Sequence, residues 1–143
     1  MAGVLAGEAN VTRLLVDGMN VIGSRPDKWW NDPDKAVRRM IDQLDRFAQA
    51  TGEDVTVVFD RRPRDVSPGT HGAVEVAFAS RSGRNAADHE IVEMVKDDEA
   101  PESITVVTSD RDLADRVKQG GARVATSGSF RRRLDEFPEG RPA

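Results

Sequence analysis

The sequence contains no cysteine and only two histidines, which limits the kinds of site it can form. Without cysteine there are neither disulfides nor thiolate metal sites, so any metal site must be built largely from oxygen ligands, which favours a hard cation over zinc. Long apolar runs are also missing, because no stretch approaches the roughly 20 residues that span a bilayer. Residues 1–10 lack the basic start and long apolar middle of a secretory signal. We therefore expect a soluble, cytoplasmic protein with no membrane partner.

The composition is typical of one ordinary globular domain. The chain has 143 residues, 38% of them hydrophobic, which suffices for a single sizeable core. We expect a loose N-terminal tail over residues 1–11, the domain over residues 12–136 and a C-terminal tail over residues 137–143. The formal net charge of −4 argues against broad, nonspecific binding to nucleic acid, although it leaves local basic patches open.

Apolar strands alternate with amphipathic helices along the domain. The predicted strands cover residues 12–16, 55–59, 73–80, 103–108 and 122–126, and the predicted helices cover residues 33–51, 85–98, 110–119 and 130–137. Residues 61–72 are rich in Pro, Gly and Arg and are predicted to form a mobile loop. Strands alternating with helices imply right-handed crossovers. The expected fold is therefore α/β, with three layers and a mostly parallel sheet of about five strands.

Acidic residues stand where the predicted strands end. Asp17, Asp60 and Asp110 follow three apolar strands, Asp112 lies just inside the next helix, and Asp88 lies in the first turn of another. Ligands of open α/β sheets bind beyond the carboxyl ends of the strands. Two carboxylates about 4 Å apart repel by roughly 4 kcal/mol at an effective dielectric constant near 20, a cost that a divalent cation removes. Any one of these acids can instead be a helix cap or a solvated loop end.

Physical roles follow from these positions. Asp17 and Asp110 end the most apolar strands and are best placed for direct contact with Mg²⁺ or Mn²⁺. Asp88 and Asp112 begin helices, so they either ligate the cation directly or orient its waters. Asn20 is neutral and is expected to position a water or a phosphate. A water activated by such a cation can attack a phosphodiester.

Four segments resemble a known family: "LLVDGMNVIG", "VVFD", "NAADHEIVEMV" and "VVTSDRDLADRVKQGGARV". They are similar to the successive motifs of the NYN domain, a branch of the PIN-like nucleases, and in particular to its small bacterial single-domain group. The resemblance covers residues 12–136. It implies a metal-dependent ribonuclease, expected to be an endonuclease, with a Rossmann-like sheet and one or two Mg²⁺ or Mn²⁺ ions. The residues that match the family's site are Asp17, Asp88, Asp110 and Asp112 as acids, Asn20 as the amide, and Asp60 at a position where members differ.

Candidate RNA contacts lie outside the acidic set. Residues 61–84 hold five arginines against Asp65 and Glu75, a net charge of +3, which indicates either a surface that follows phosphates or a solvated loop. These arginines are Arg61, Arg62, Arg64, Arg81 and Arg84. Trp29 and Trp30 either stack on unpaired bases or pack on the following helix.

Two other functional classes share parts of this pattern. A phosphoacceptor signalling domain also places acids at strand ends, but it needs an adjacent acid pair after the first strand and a lysine after the last, and "VDGMN" and "ARVATSGS" supply neither. A catalytically degenerate module that binds RNA or the ribosome is the stronger alternative, and the intact acidic set argues against it. The expected partner is RNA, free or on the ribosome, and the pattern leaves monomer and homodimer open.

Overall fold

The computed structural model describes residues 13–80 and 86–137. The strands are β1 (Arg13–Asp17), β2 (Asp54–Phe59), β3 (Gly69–His71), β4 (Val74–Phe78), β5 (Ile104–Val107) and β6 (Arg123–Ala125). The α-helices are α1 (Gly18–Gly23), α2 (Pro33–Thr51), α3 (Ala86–Asp97), α4 (Arg111–Gln119) and α5 (Ser127–Leu134), with 3₁₀ turns at Trp29–Asn31 and Pro101–Ser103. No helix of the described ranges is long and apolar enough to cross a membrane.

The six strands form one sheet in the order β3-β4-β2-β1-β5-β6, and every pair except β3 with β4 is parallel. This confirms the predicted α/β class. β1 lies at the centre, between β2 and β5, and its residues Leu14, Leu15 and Val16 are buried. From β1 the chain first builds outward through β2 and then crosses over to β5. The strand order therefore reverses beside β1, which is where open α/β sheets bind ligands.

Helices cover both faces of the sheet. One face packs against α1, α2 and α5 in a core that includes Leu44 and Phe47, and the other packs against α3 and α4 around Ile91 and Leu113. Phe47 meets the ring of Phe137 edge to face, with centroids 5.6 Å apart. The first residue of the predicted C-terminal tail is therefore packed against the core.

The sheet has one strand more than expected, because part of the predicted mobile loop is ordered. β3 lies within residues 61–72 and pairs antiparallel with β4. The turn between them uses Gly72 at φ +62°, a conformation that favours glycine, and Asp45 Oδ1 accepts a 2.7 Å hydrogen bond from the Ala73 N–H. Pro63 and Val66, which belong to the same segment, are buried. These contacts hold the segment in place although its sequence has no hydrophobic periodicity.

Helix α1 follows β1 without a loop, which the sequence patterns did not predict. Gly18 allows this close packing, since a Cβ there would overlap the ring of Phe59 and lie 3.1 Å from Val57 Cγ2. Both residues are fully buried, so neither can move aside cheaply.

We expect Gly18→Ala to lower the free energy of unfolding by about 1–3 kcal/mol, as is typical of an overpacked core. Chemical denaturation measures the change. Gly23→Ala is the matched control, because a Cβ at Gly23 would only approach Trp29 at 4.0 Å. Equal effects at the two glycines would contradict this packing account.

Candidate active site

Three loops at the carboxyl edge of the sheet bring the predicted acids together. Asp17 is the last residue of β1, Asp60 follows β2 directly, and Asp110 follows β5 by three residues. Asp88 lies in the first turn of α3. Asp17 and Asp88 are only 5% and 8% exposed, so two carboxyl groups are withdrawn from water at this edge. We call this group of four the acidic edge.

Thr108 joins two members of the acidic edge. Its Oγ1 donates a 2.9 Å hydrogen bond to Asp17 Oδ2 and accepts a 3.1 Å hydrogen bond from the Asp110 N–H. The side chain is 1% exposed. Sequence analysis missed this residue, although a threonine between an apolar strand and a Ser-Asp pair is a signal that the strand has reached a polar site. Thr108 fixes the β5 end against Asp17.

Burial dominates the electrostatics of Asp17. The pKa of this carboxyl is raised to about 7, mainly by withdrawal from water; the hydrogen bond from Thr108 opposes the change, and the carboxylates of Asp88 and Asp60 contribute to it. A buried carboxyl with acids around it is held in an environment that disfavours its charge. A cation would reverse that preference.

Asp88 and Asp60 behave in the same way. The pKa of Asp88 is raised to about 6, mainly by burial; the carboxylates of Asp110, Asp112 and Asp60 contribute to the rise, and Arg116 opposes it. Burial also raises the pKa of Asp60. The groups at this edge therefore repel one another while part of their hydration has been removed.

Asp110 and Asp112 have different surroundings. Asp110 Oδ1 accepts hydrogen bonds from the N–H groups of Asp112 and Leu113, at 2.9 and 3.2 Å, and so caps α4. Both bonds use one oxygen, so capping does not occupy the other. The Asp112 side chain is 79% exposed and its Oδ2 lies 3.9 Å from Arg116. Of the predicted ligands, Asp112 is the most open to solvent.

Asn20 holds two loops together. Its Oδ1 accepts a 2.8 Å hydrogen bond from the Ser109 N–H and a 2.5 Å bond from Ser127 Oγ. Ser109 Oγ in turn accepts a 3.0 Å hydrogen bond from the Ser127 N–H, which ties the β5 end to the start of α5. Ser127 is fully buried and was not singled out from the sequence. Because Oδ1 accepts both of these bonds, the predicted role of Asn20 toward a water or phosphate would have to use its amide nitrogen.

The acidic edge offers oxygen donors to a hard cation, although these donors do not form a preformed cage. Within residues 13–80 and 86–137, no three His, Asp or Glu side chains converge as a ready metal site. Mg²⁺ does not require such convergence, because it keeps several waters and binds proteins through one or two carboxylates. The desolvated, mutually repelling carboxyls of Asp17 and Asp88 fit that mode of binding.

The predicted arginine contacts are partly engaged within the protein. Arg61 Nε forms a 2.6 Å ion pair with Asp34, and Arg62 Nε donates a 3.0 Å hydrogen bond to the Val66 carbonyl. Arg64 is exposed. These residues follow Asp60, which places them beside the acidic edge. Arg81 and Arg84 lie outside the described residues.

The two tryptophans differ in exposure. Trp29 is partly buried against the core, whereas Trp30 is 58% exposed, and their rings meet edge to face with centroids 6.1 Å apart. One of the two predicted stacking residues therefore also supports the fold.

Comparisons with known proteins agree with the motif resemblance. The model of the YacP-like NYN domain matches residues 14–141. The structure is similar to two crystal structures of Rae1 (YacP) from Bacillus subtilis, one of them a point variant. The variant has a TM-score of 0.70 at 27% identity over 89% of this chain and 77% of that chain. The other has a TM-score of 0.71 at 26% identity over 89% and 75%. No curated protein matches the sequence significantly.

These findings confirm the resemblance to the NYN branch of the PIN-like superfamily. They also support a nuclease family that acts on RNA. The chain belongs to the family of YacP-like NYN domains.

Proposed function

We propose that this protein is a metal-dependent ribonuclease that hydrolyses RNA phosphodiester bonds at the acidic edge. The observation that carries the proposal is Asp17, a carboxyl buried at the end of the central strand with further carboxyls around it. Such an arrangement is costly in an empty site and favourable with a divalent cation. The proposed cofactor is Mg²⁺ or Mn²⁺.

The residues proposed to hold the cation are Asp17, Asp88, Asp110 and Asp112, with Asp60 completing the negative field. When bound, the cation would supply an activated water for attack on phosphorus and offset the charge of the phosphate oxygens. Thr108 keeps Asp17 and the Asp110 loop in fixed relation. Arg116, whose Nη1 lies 3.9 Å from Asp112 Oδ2, lowers the pKa of Asp88 and so favours the ionised form of that carboxyl.

The proposed substrate is RNA, free or on the ribosome, cut within single-stranded regions. Arg61, Arg62 and Arg64 would contact phosphates beside the acidic edge, and exposed Trp30 would stack on an unpaired base. Arg81 and Arg84 are proposed for the same surface. Water as the nucleophile leaves a 5′-phosphate and a 3′-hydroxyl, because the RNA 2′-oxygen does not attack.

We expect simultaneous replacement of Arg61, Arg62 and Arg64 by alanine to weaken RNA binding. For single strands, each lost phosphate contact should make the negative slope of log K against log salt less steep by about 0.7. Cleavage within the saturated complex should change little, because these residues contact phosphates that are not being cut. Binding is measured with Asp17→Asn added, so that the RNA stays intact.

The matched control for this prediction removes the same charge elsewhere. Arg46, Lys118 and Arg123 are exposed or half-buried and lie away from the acidic edge, so their joint replacement by alanine reports the effect of net charge alone. If both triple variants make the salt dependence less steep by the same amount, the loop after β2 has no specific part in binding.

Cleavage of a circular single-stranded RNA tests the proposed activity. It should require Mg²⁺ or Mn²⁺, stop with chelator, and yield a linear product with a 5′-phosphate and a 3′-hydroxyl. Asp17→Asn and Asp110→Asn should be inactive, and Asp42→Asn, an exposed acid on α2, should be fully active. A product with a 2′,3′-cyclic phosphate would contradict attack by water.

The same assay distinguishes the proposed ribonuclease from a binding module without catalysis. The absence of three convergent ligands among the described residues is the observation that favours that alternative. RNA that is bound but never cut, even with ribosomes supplied, would support the module and overturn the ribonuclease proposal.

A further inference from the structure

A pocket separate from the acidic edge lies between the Trp29–Asn31 turn, the N-terminal half of α2 and the end of α5. Its volume is about 650 Å³, within the range of roughly 300–1,000 Å³ that is typical of small-molecule sites. Ile22, Trp29, Ala36 and Met40 supply its apolar wall. We call it the Trp29 pocket. An indole beside aliphatic side chains is a surface on which a flat ring can pack.

The Trp29 pocket favours an anionic ligand. Four basic and three acidic residues line it, so its formal charge is +1 in a chain of net charge −4. Arg25 is held by Asp135 and Gln43, each at 3.0 Å. Lys28 and Lys35, by contrast, form no ion pair with any residue of the described ranges. Their ammonium groups are available to a ligand.

The backbone at Lys28 is unusual. Lys28 has φ +55° and ψ +38°, and it is the one residue other than glycine with a positive φ among residues 13–80 and 86–137. Left-handed backbone is unfavourable for a residue with a Cβ, and such conformations cluster at binding and active sites. Glycine would adopt it without strain, yet this position carries a long cationic side chain at the pocket.

One short segment of the chain connects the Trp29 pocket with the acidic edge. Ile22 in its wall is five residues beyond Asp17 along the continuous segment of β1 and α1. At the rise of an α-helix this separation is about 8 Å along the axis. A strand of RNA with a phosphodiester at the acidic edge can therefore reach the pocket with a neighbouring nucleotide.

We propose that the Trp29 pocket binds one unpaired nucleotide of the RNA, with the base against Trp29 and the phosphate held by Lys28 and Lys35. This inference rests on the proposed function, with RNA as the substrate. It assigns the Trp29 pocket as the place where a base next to the cleaved bond is bound. Stacking on an aromatic ring suits all bases, so the pocket selects unpaired over paired RNA rather than a sequence.

Tryptophan fluorescence tests this directly, because the chain has only two tryptophans and both lie in this region. In Trp30→Phe protein, Trp29 is the sole reporter. Adenosine 5′-monophosphate and cytidine 5′-monophosphate are titrated in chelator, with free tryptophan amide as the correction for absorbed light. We expect saturable quenching by both, at least tenfold weaker binding of adenosine, and no saturable change with inorganic phosphate.

Variants at the two lysines make the test specific. Lys28→Gly should weaken nucleotide binding about fivefold or more while raising the melting temperature, because glycine relieves the backbone. Lys35→Ala should weaken nucleotide binding to a similar extent without raising the melting temperature. Lys118→Ala, on α4, should bind as the parent does. Quenching that is unsaturable, or equal in all variants, would overturn the proposal, as would equal binding of phosphate alone.

Because no divalent cation is present, the outcome does not depend on catalysis. Failure here with metal-dependent cleavage of circular RNA intact would remove the Trp29 pocket and leave the proposed ribonuclease standing. Saturable nucleotide binding without any cleavage would support the Trp29 pocket and overturn the proposed ribonuclease activity.

Discussion

Asp17→Asn is expected to give a protein that is more stable than the parent and inactive. In the parent, Asp17 is buried beside other carboxyls, and its pKa is raised to about 7. An amide of the same shape removes the repulsion and still accepts a hydrogen bond from Thr108. At pH 7.5 without metal, we expect the free energy of unfolding to rise by up to about 4 kcal/mol, because the pKa is raised from 3.8 to about 7 and each unit corresponds to about 1.4 kcal/mol.

The loss of activity should be large. Removing groups that only support metal ligands typically costs 10–100-fold, so the loss of a direct ligand should lower RNA cleavage by about 100-fold or more. Cleavage rates at saturating RNA and denaturation curves in chelator measure the two effects. Asp42→Asn should change neither, since Asp42 is exposed and pairs with Arg46 on the same helix. A variant that is both destabilised and active would contradict a metal-ligating Asp17.

The second large effect concerns pH. For an acid whose pKa is higher in the folded state, stability is greatest below the unfolded pKa and is lost as the pH rises through the folded pKa. For Asp17 that interval runs from 3.8 to about 7, and for Asp88 from 3.8 to about 6. The free energy of unfolding in chelator should therefore fall between about pH 4 and pH 7.

Other groups affect a different pH interval. The ion pair with Arg13 lowers the pKa of Asp98 to about 2, so its contribution to stability is lost only as the pH falls below about 4. Denaturant titrations across pH 4 to 8 isolate the acidic edge. Asp17→Asn should make the free energy of unfolding depend less on pH over this interval.

Mn²⁺ should reverse the pH effect, because cation and protons compete for the same carboxylates. We expect Mn²⁺ to stabilise the parent strongly at pH 7.5 and little at pH 5, by mass action on the folded state. Stability that rises between pH 5 and pH 7.5 in chelator, with no effect of Asp17→Asn, would contradict the buried-carboxyl account.

Hydrophobic periodicity in the sequence predicted the main strands and helices, but it did not predict the short elements between them. The apolar runs of β1, β2 and β5 and the amphipathic pattern of α2 are strong because the elements are buried on whole faces. β3 has three residues and none is buried, so no hydrophobic signal marks it. Helix α1 has six residues and depends on Gly18 packing against Phe59, a contact between distant parts of the chain.

The acids of the candidate site could be predicted because parallel strands bring their carboxyl ends to one edge. The residues that hold these side chains in place could not be predicted from the sequence. Thr108 and Ser127 act through hydrogen bonds to Asp17 and Asn20, across 91 and 107 residues. Isolated hydroxyl residues carry no periodic signal, so their importance becomes visible only once the strand order places them together.

Direct binding of Mn²⁺ in the absence of RNA tests the central claim that the acidic edge holds a divalent cation. Electron paramagnetic resonance of free Mn²⁺, titrated at pH 7.5, counts bound ions without any need for catalysis. We expect the parent and Asp42→Asn to bind Mn²⁺ saturably with the same affinity, Asp17→Asn to lose the site, and protons to displace the ion near pH 5. No saturable binding by the parent, or undiminished binding by Asp17→Asn, would contradict the claim.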